Sequence, residues 1–302
     1  MRSLSILLCC IGLSILVGCG GEDAPKTAVP DAGAALDTND IKSKLGEEMY
    51  ELSRDIFYSM PSPLELQSIV EQAGGYFRAD LLHDPQLSSQ YQGTEKLARI
   101  LGIYGTDMSY ATVYKQQQES ILHLAASQRV AKAMGITDPF QGHLIDRANA
   151  NMSNKDSMML IVSEMYWEMN SQLQEEERNA LGLVVLTAGW VEGVYLGSQI
   201  VDKDNPEKTV AEVLLEQRFI AQQIDAMLSD FEQDPLVAGM QMEVRPLLDA
   251  YMALELNETA ATVRKENGKT VIGGKQEITY TTEDLNKIRS LAKALREKFI
   301  AL

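Results

Sequence analysis

The most apolar stretch of the chain covers residues 181–201 and reads LGLVVLTAGWVEGVYLGSQIV. It contains a single charged residue, Glu192. Its glycines are Gly182, Gly189, Gly193 and Gly197. These glycines recur at helical spacing, so they fall on one side of a helix, where a neighbouring backbone can approach closely. The other sides are apolar too, which is typical of a buried helix. The pattern therefore predicts a central helix inside an all-α domain.

Most of the remaining chain has apolar residues every three or four positions, which is the period of an amphipathic helix. Short polar or proline-containing stretches separate these segments, and we find neither strand–helix alternation nor a repeat of fixed period. The expected helical segments are 40–60, 63–74, 94–114, 121–135, 138–154, 155–174, 206–231, 235–254 and 281–302. We expect an irregular bundle of about nine or ten helices around the central one.

The segment that begins at Thr94 is the predicted neighbour of the central helix. Apolar and aromatic residues occupy two of its sides, so it is also expected to be an inner helix. Gly102 and Gly105 would let it approach the glycine side of the central helix. We therefore expect these two helices to be in contact.

One segment before the last helix departs from the helical pattern. Asn267-Gly268 is a strong hairpin signal, and β-prone residues precede and follow it. Residues 278–280 indicate an extended return. We expect a small hairpin over residues 262–280, whose exposed edge could accept a strand from a partner.

The N-terminus has the pattern of a secretory signal. Arg2 supplies a positive charge, and residues 4–16 form an apolar run that is too short to span a membrane as a mature helix. The run ends in Leu16-Val17-Gly18-Cys19, which resembles the lipobox of bacterial lipoproteins. This resemblance implies cleavage before Cys19 and attachment of lipid, including palmitate, to that cysteine. The alternative is an ordinary secretory signal with an incidental cysteine.

This interpretation divides the chain into a lipoprotein signal peptide (1–18), a disordered polar tether (19–39) and a single α-helical domain (40–302). Cys19 becomes the only cysteine, which excludes a disulfide, a thiolate metal site and a cysteine nucleophile. Glu22-Asp23 resembles the acidic signals that send some lipoproteins to the cell surface. We expect a lipid-anchored protein of the bacterial cell envelope, in the outer membrane, on its periplasmic or its surface face.

The charge of the chain limits its partners. Its 27 basic and 43 acidic residues give a formal net charge of −16, and loss of Arg2 with the signal peptide makes this −17. We find no basic patch dense enough to neutralise phosphates. Nucleic acid is therefore not an expected partner. The membrane contact is expected through the N-terminal lipid, with an envelope protein as a possible further partner.

The sequence contains none of the common catalytic or cofactor motifs. Its three histidines form neither paired Glu-x-x-His motifs nor a zinc-protease motif. No nucleophile elbow, P-loop or dinucleotide fingerprint occurs. We therefore expect no metal site and no cofactor, and we assign no catalytic residue.

Two acidic residues, Asp107 and Glu192, are each set in a predicted inner helix. Buried carboxyl groups need partners, which tyrosine hydroxyls or an arginine could supply. One hypothesis is a hydrogen-bonded core network, and we favour it. The other is a tyrosine-lined pocket for a small polar or cationic ligand, or an acid–base pair for glycoside hydrolysis. The candidate ligand-binding residues are Tyr104, Asp107, Tyr110, Tyr114, Trp190 and Glu192.

Two short motifs suggest a family. LGIYGTDMSY at residues 101–110 and Ile272-Gly-Gly-Lys275 are similar to segments of uncharacterised α-helical lipoproteins from Bacteroidota. The similarity implies a helical fold and an envelope location, and it transfers no activity or site residue. The leading functional hypothesis is a non-enzymatic binding or accessory module. The alternative is a small-ligand-binding or hydrolytic protein that uses the acidic cavity.

Overall fold

The computed structural model describes residues 63–136, 142–201, 208–258, 262–266, 269–273 and 276–302. All of them belong to the compact unit Glu47–Leu302. The helices of these residues are α1 (Pro63–Gln72), α2 (Thr94–Val113), α3 (Gln117–Ala133), α4 (His143–Asn151), α5 (Lys155–Glu175), α6 (Asn179–Ile200), α7 (Lys208–Asp230), α8 (Pro235–Met252) and α9 (Thr282–Ile300). Short 3₁₀ helices occupy Ala79–Leu81 and Pro85–Ser89. The predicted all-α, multi-helix fold is confirmed.

The signal peptide, the tether and the helix predicted over 40–60 lie outside the described residues. The predicted starts of α4 at residue 138 and of α7 at residue 206 also lie outside them. The predicted starting signals of α8 and α9 are confirmed. The Asp234 side chain accepts a hydrogen bond from the Leu236 amide at 2.8 Å at the start of α8. Thr281 and Asp284 form a reciprocal capping box at the start of α9.

Helix α6 is the central helix, as predicted. From Leu181 to Ile200 only Leu186 and Gln199 are half-buried, and every other residue is buried. The helix is long and apolar enough to cross a membrane, but 89% of its most apolar window is buried inside the protein. It is therefore a core helix, and the other helices pack around it.

Helices α2 and α6 make the most extensive contact between helices among the described residues. At their closest approach, a Cβ atom on Gly102 would lie 2.2 Å from the Val185 carbonyl oxygen and 2.8 Å from the Gly189 nitrogen. The Thr106 hydroxyl donates to the Gly189 carbonyl at 3.1 Å. The predicted contact of these two helices is confirmed.

The glycine side of α6 does not form a single seam with α2. Gly193 faces Leu66 of α1, and Gly197 faces α7. On α2, Gly105 faces Tyr166 of α5, so its expected role against α6 was wrong. Several helices surround α6, and each of these glycines allows a different helix to pack closely against it.

A two-stranded β-ribbon, comprising β1–β4, connects α8 to α9. Strand β1 (Glu255–Glu258) pairs with β4 (Gln276–Thr279), and β2 (Thr262–Glu266) pairs with β3 (Lys269–Gly273), both antiparallel. The predicted hairpin around residues 267–268 is confirmed. Strand β1 was not predicted, because Glu-Leu-Asn-Glu carries no strand pattern of its own. It is extended because it pairs with β4.

The last helix, α9, packs on α6 and α8. Its buried Arg289 donates to the Ser198 carbonyl at 2.7 Å and to the Val201 carbonyl, at the C-terminal end of α6. These bonds satisfy carbonyl groups that have no partner within the helix. They also fix α9 so that Arg296, two turns later, lies beside Glu192.

Candidate functional site

Asp107 of α2 and Glu192 of α6 are brought together by the close approach of their helices. Asp107 follows Gly102 on one helix, and Glu192 follows Gly189 on the other. Both residues have an exposed fraction of 0%. The two carboxyl groups are close enough for each to influence the pKa of the other. The structure thus confirms that both acids are buried in inner helices.

Arg296 of α9 supplies a positive charge to this pair. Its Nε lies 3.3 Å from Glu192 Oε2, and its Nη2 donates to the Leu81 carbonyl at 3.1 Å. Its guanidinium carbon lies 4.9 Å above the centre of the Tyr195 ring, a cation–π distance. The arginine is therefore held by two elements, helix α6 and the 3₁₀ helix Ala79–Leu81, and its charge is directed at the acids.

Two histidines complete the surroundings of Asp107. The Oδ2 atom accepts a hydrogen bond from the His83 amide at 3.0 Å and lies 3.7 Å from His123 Nε2. His123 Nδ1 is 2.8 Å from the Glu119 carbonyl, and its Nε2 is 3.1 Å from the His83 carbonyl. These two carbonyl groups fix the position of the ring beside Asp107.

The His83 ring has a defined tautomer. Its Nε2 lies 2.7 Å from the Tyr91 hydroxyl, which donates its own hydrogen to the Ile300 carbonyl at 2.7 Å. His83 Nε2 must therefore carry a hydrogen and donate it to Tyr91. Burial, assisted by the Arg296 charge, lowers the pKa of His83 to about 4, so the ring is neutral near pH 7. It stacks on Tyr104, with ring centres 5.1 Å apart.

Burial also controls the protonation of the two acids. It raises the pKa of Asp107 to about 7. It raises the pKa of Glu192 well above its usual range, and the neighbouring charge of Asp107 adds to this effect. Burial therefore favours the protonated form of both acids. Each acid keeps one oxygen, Oδ1 or Oε1, without a hydrogen-bond partner in the described structure.

We refer to Asp107, Glu192, Arg296, His83 and His123 as the acid–arginine cluster. It contains two of the six predicted ligand-binding residues, and Tyr104 adjoins it through His83. The other three predicted residues make different contacts. Tyr110 and Tyr114 pack together, with ring centres 4.9 Å apart, and both contact Phe77. The Trp190 ring packs against Tyr251 at 5.7 Å. The predicted residues therefore divide among three groups of contacts: the acid–arginine cluster, the rings around Phe77, and the Trp190–Tyr251 pair.

A small, partly open cavity lies between α2, α3 and α5. Its volume of about 10 Å³ is enough for roughly one water molecule. Its walls are formed by Leu101, Gly105, Met108, Ser127, Met165, Tyr166 and Met169. Neither Asp107 nor Glu192 belongs to this lining, so the cavity does not give a ligand access to the two acids.

Sequence reasoning missed Arg296 and gave no role to the two histidines. The sequence does contain a pattern that indicates a buried arginine. Arg289 and Arg296 lie seven residues apart on the apolar side of the last helix. Charged residues on a buried helix face need buried partners. Their spacing could therefore have pointed to acids in the core.

One surface group in the described residues has ligand atoms close enough to hold a metal ion. His143, Glu164 and Glu168 each offer an atom within 4.8 Å of the others. However, Arg147 already pairs with Glu164 at 2.6 Å, and the His143 side chain is 65% exposed. We assign no metal to this group.

Comparison with known proteins gives no relative. No family model, no curated protein and no solved structure matches this chain. The similarity to helical lipoproteins of Bacteroidota therefore stays a prediction.

Proposed function

We propose that this chain is a lipid-anchored protein of the bacterial cell envelope, with a non-enzymatic binding or accessory role. The lipobox-like residues Leu16-Val17-Gly18-Cys19 support the anchor. The complete burial of Asp107 and Glu192 supports the non-enzymatic role, and it is the observation that carries the proposal.

A catalytic acid or base must come within hydrogen-bonding reach of a substrate. Asp107 and Glu192 are instead enclosed by groups of their own chain, and neither is exposed. Their neighbours are an amide, an arginine, a histidine and each other. We conclude that the cluster joins α2, α3, α6, α9 and the loop that carries His83. Binding would then take place on the surface of the protein.

The anchor is tested by labelling growing cells with an alkyne analogue of palmitate. We expect the wild-type chain to be labelled and to fractionate with membranes, because Cys19 receives lipid. Cys19→Ser should lose the label and leave the membrane fraction. The matched control is Cys9→Ser, which changes a cysteine that is removed with the signal. An unlabelled wild-type chain, or a label that survives Cys19→Ser, would contradict the proposal.

A further inference from the structure

The cavity between α2, α3 and α5 is lined largely by methionine. Three of its seven lining residues are Met108 of α2 and Met165 and Met169 of α5. Met165 and Met169 are four residues apart, so they lie on the same side of their helix. The exposed fractions of the three side chains are 2%, 2% and 4%. None of the seven lining residues is charged. The cavity therefore brings three buried methionines around a space that suits a small, uncharged molecule.

Ser127 of α3 adds a polar group to the same wall. Its exposed fraction is 0%, and its hydroxyl has no hydrogen-bond partner in the part of the chain that the structure describes. A buried hydroxyl without a partner is unfavourable, and a small polar molecule in the cavity would supply the missing hydrogen bond. The Ser127 hydroxyl thus favours an occupant that forms hydrogen bonds.

The size of the cavity restricts this occupant further. A volume of about 10 Å³ holds roughly one water molecule. Hydrogen peroxide is only slightly larger than water, is uncharged, and both donates and accepts hydrogen bonds. Methionine side chains are flexible enough to adapt to it. The cavity is also partly open, so such a molecule can enter without unfolding of the protein.

We infer that this cavity is a site of selective methionine oxidation by a small neutral peroxide, and that Met108, Met165 and Met169 are the residues oxidised. The sulfur atom of a methionine attacks one peroxide oxygen, so an S–O bond forms while the O–O bond breaks. The hydrogen of the transferred oxygen passes to the departing hydroxide, which leaves as water. Methionine is thereby oxidised to its sulfoxide, and the peroxide is reduced to water.

The product of this reaction has a hydrogen-bond donor in the same cavity. A sulfoxide oxygen is a polar acceptor, and the Ser127 hydroxyl can donate to it. Dedicated reductases convert the sulfoxide back to methionine, so the modification is reversible. The reaction needs neither the lipid anchor nor a partner protein, so it goes beyond the proposed function and its test is independent of it.

The first experiment treats the full chain, held in a maltoside detergent, with hydrogen peroxide and follows each methionine by peptide mass spectrometry. Met158 and Met240 are the matched controls, because their exposed fractions are 3% and 0% but neither lines the cavity. We expect the three cavity methionines to be oxidised about fivefold faster than these controls, because the peroxide reaches them in the folded protein. Met242, which is 75% exposed, calibrates the oxidant.

Equal rates for the cavity methionines and the controls would overturn the inference. Met158 lies on α5 with two of the cavity methionines, so oxidation through local opening of that helix would modify it equally.

The size limit is tested on the same wild-type protein with tert-butyl hydroperoxide. This oxidant is too large for the cavity, so it should oxidise Met242 while the cavity methionines react no faster than Met158 and Met240. An equal preference of both oxidants for the cavity methionines would contradict a site for a small peroxide.

Ser127→Ala tests the part played by the hydroxyl. Apolar cavities of this size stay dry, so loss of the hydroxyl should slow oxidation of the cavity methionines by hydrogen peroxide about threefold. The control Ser198→Ala removes another fully buried serine hydroxyl, which lies outside the lining, and should leave these rates unchanged. Circular dichroism and the oxidation rate of Met242 verify that the variants are comparable with the wild type. Unchanged oxidation of the cavity methionines in folded Ser127→Ala would contradict the role of the hydroxyl.

Discussion

Asp107 and Glu192 are two carboxyl groups that face each other without access to water. Two negative charges at this distance could not both be buried, because each would lack solvation and would repel the other. Retention of one proton by the pair removes half of the charge, and Arg296 balances the rest. The protonation state of these residues is therefore part of the fold, and stability should depend on pH.

The stability of the wild-type protein should fall as the pH rises from 6.5 to 8.5. The pKa of Asp107 is raised from 3.8 to about 7, and that of Glu192 is raised well above 4.5. The folded state therefore retains protons that the unfolded chain releases. The resulting stabilisation is complete below the unfolded pKa and is lost as the pH passes the folded pKa.

Urea unfolding at several pH values measures this dependence. The matched variant is Asp107→Asn/Glu192→Gln, in which the decline with pH should be shallower, by up to about 1.4 kcal/mol per pH unit for each proton. His83, with a pKa lowered to about 4, has the opposite effect at lower pH, and for this reason the measurement begins at pH 6.5. Parallel curves for the two proteins would show that the two acids retain no extra proton in the folded state.

The sequence identified both acids but not the residue that neutralises them. Asp107 and Glu192 could be predicted as buried because each interrupts a segment that is apolar on several sides. Arg296 is 104 residues from Glu192, and no local pattern joins positions that far apart. The packing of the tyrosine rings could not be predicted for a related reason. Spacing along α2 places Tyr110 and Tyr114 near Asp107 in sequence, but their rings pack against Phe77.

At the scale of elements, the contact of α2 with α6 depends on glycine at the crossing. The contact could be predicted because glycine in a helix interior costs about 1 kcal/mol relative to alanine, which suggests a packing requirement. The partner of each glycine could not be predicted, because it depends on the neighbours arranged around α6. Gly102 meets α6, whereas Gly105 meets α5.

Gly102→Ala should lower the free energy of unfolding by more than about 3 kcal/mol, or prevent folding. The added Cβ would meet backbone atoms of α6 at 2.2 and 2.8 Å, and backbone cannot move aside as a flexible side chain can. The control is Gly239→Ala in α8, where the nearest atom is 3.9 Å away. There alanine should stabilise the helix by about 0.5–1 kcal/mol. Thermal and urea unfolding measure both changes, and a similar effect of the two substitutions would contradict the packing argument.

The β-ribbon illustrates the limits of local signals at this scale. Asn267-Gly268 marks a turn by its own conformational preference, so the β2–β3 hairpin could be predicted. Strand β1 has no such preference, and its extended form comes from pairing with β4, which lies beyond the hairpin.

At the scale of the whole molecule, the described fold is a bundle of helices around α6, closed by the last helix. Helix α9 is joined to the core by two buried arginines. Arg289 binds carbonyl groups at the end of α6, and Arg296 binds Glu192 in its middle. The acid–arginine cluster therefore connects the C-terminal helix to the centre of the bundle. Our central claim is that this connection, rather than binding or catalysis, is the role of the two acids.

Urea unfolding of Arg296→Met tests this claim most directly. Removal of one partner leaves a buried acid without its counter-charge, so we predict a loss of about 3–5 kcal/mol. The control is Lys293→Met, an exposed position on the same helix, which should change stability by less than about 0.5 kcal/mol. Addition of Glu192→Gln to Arg296→Met should recover part of the loss, because the two residues act as a pair. If Arg296→Met is no more destabilising than Lys293→Met, the cluster does not hold the fold together, and the account is contradicted.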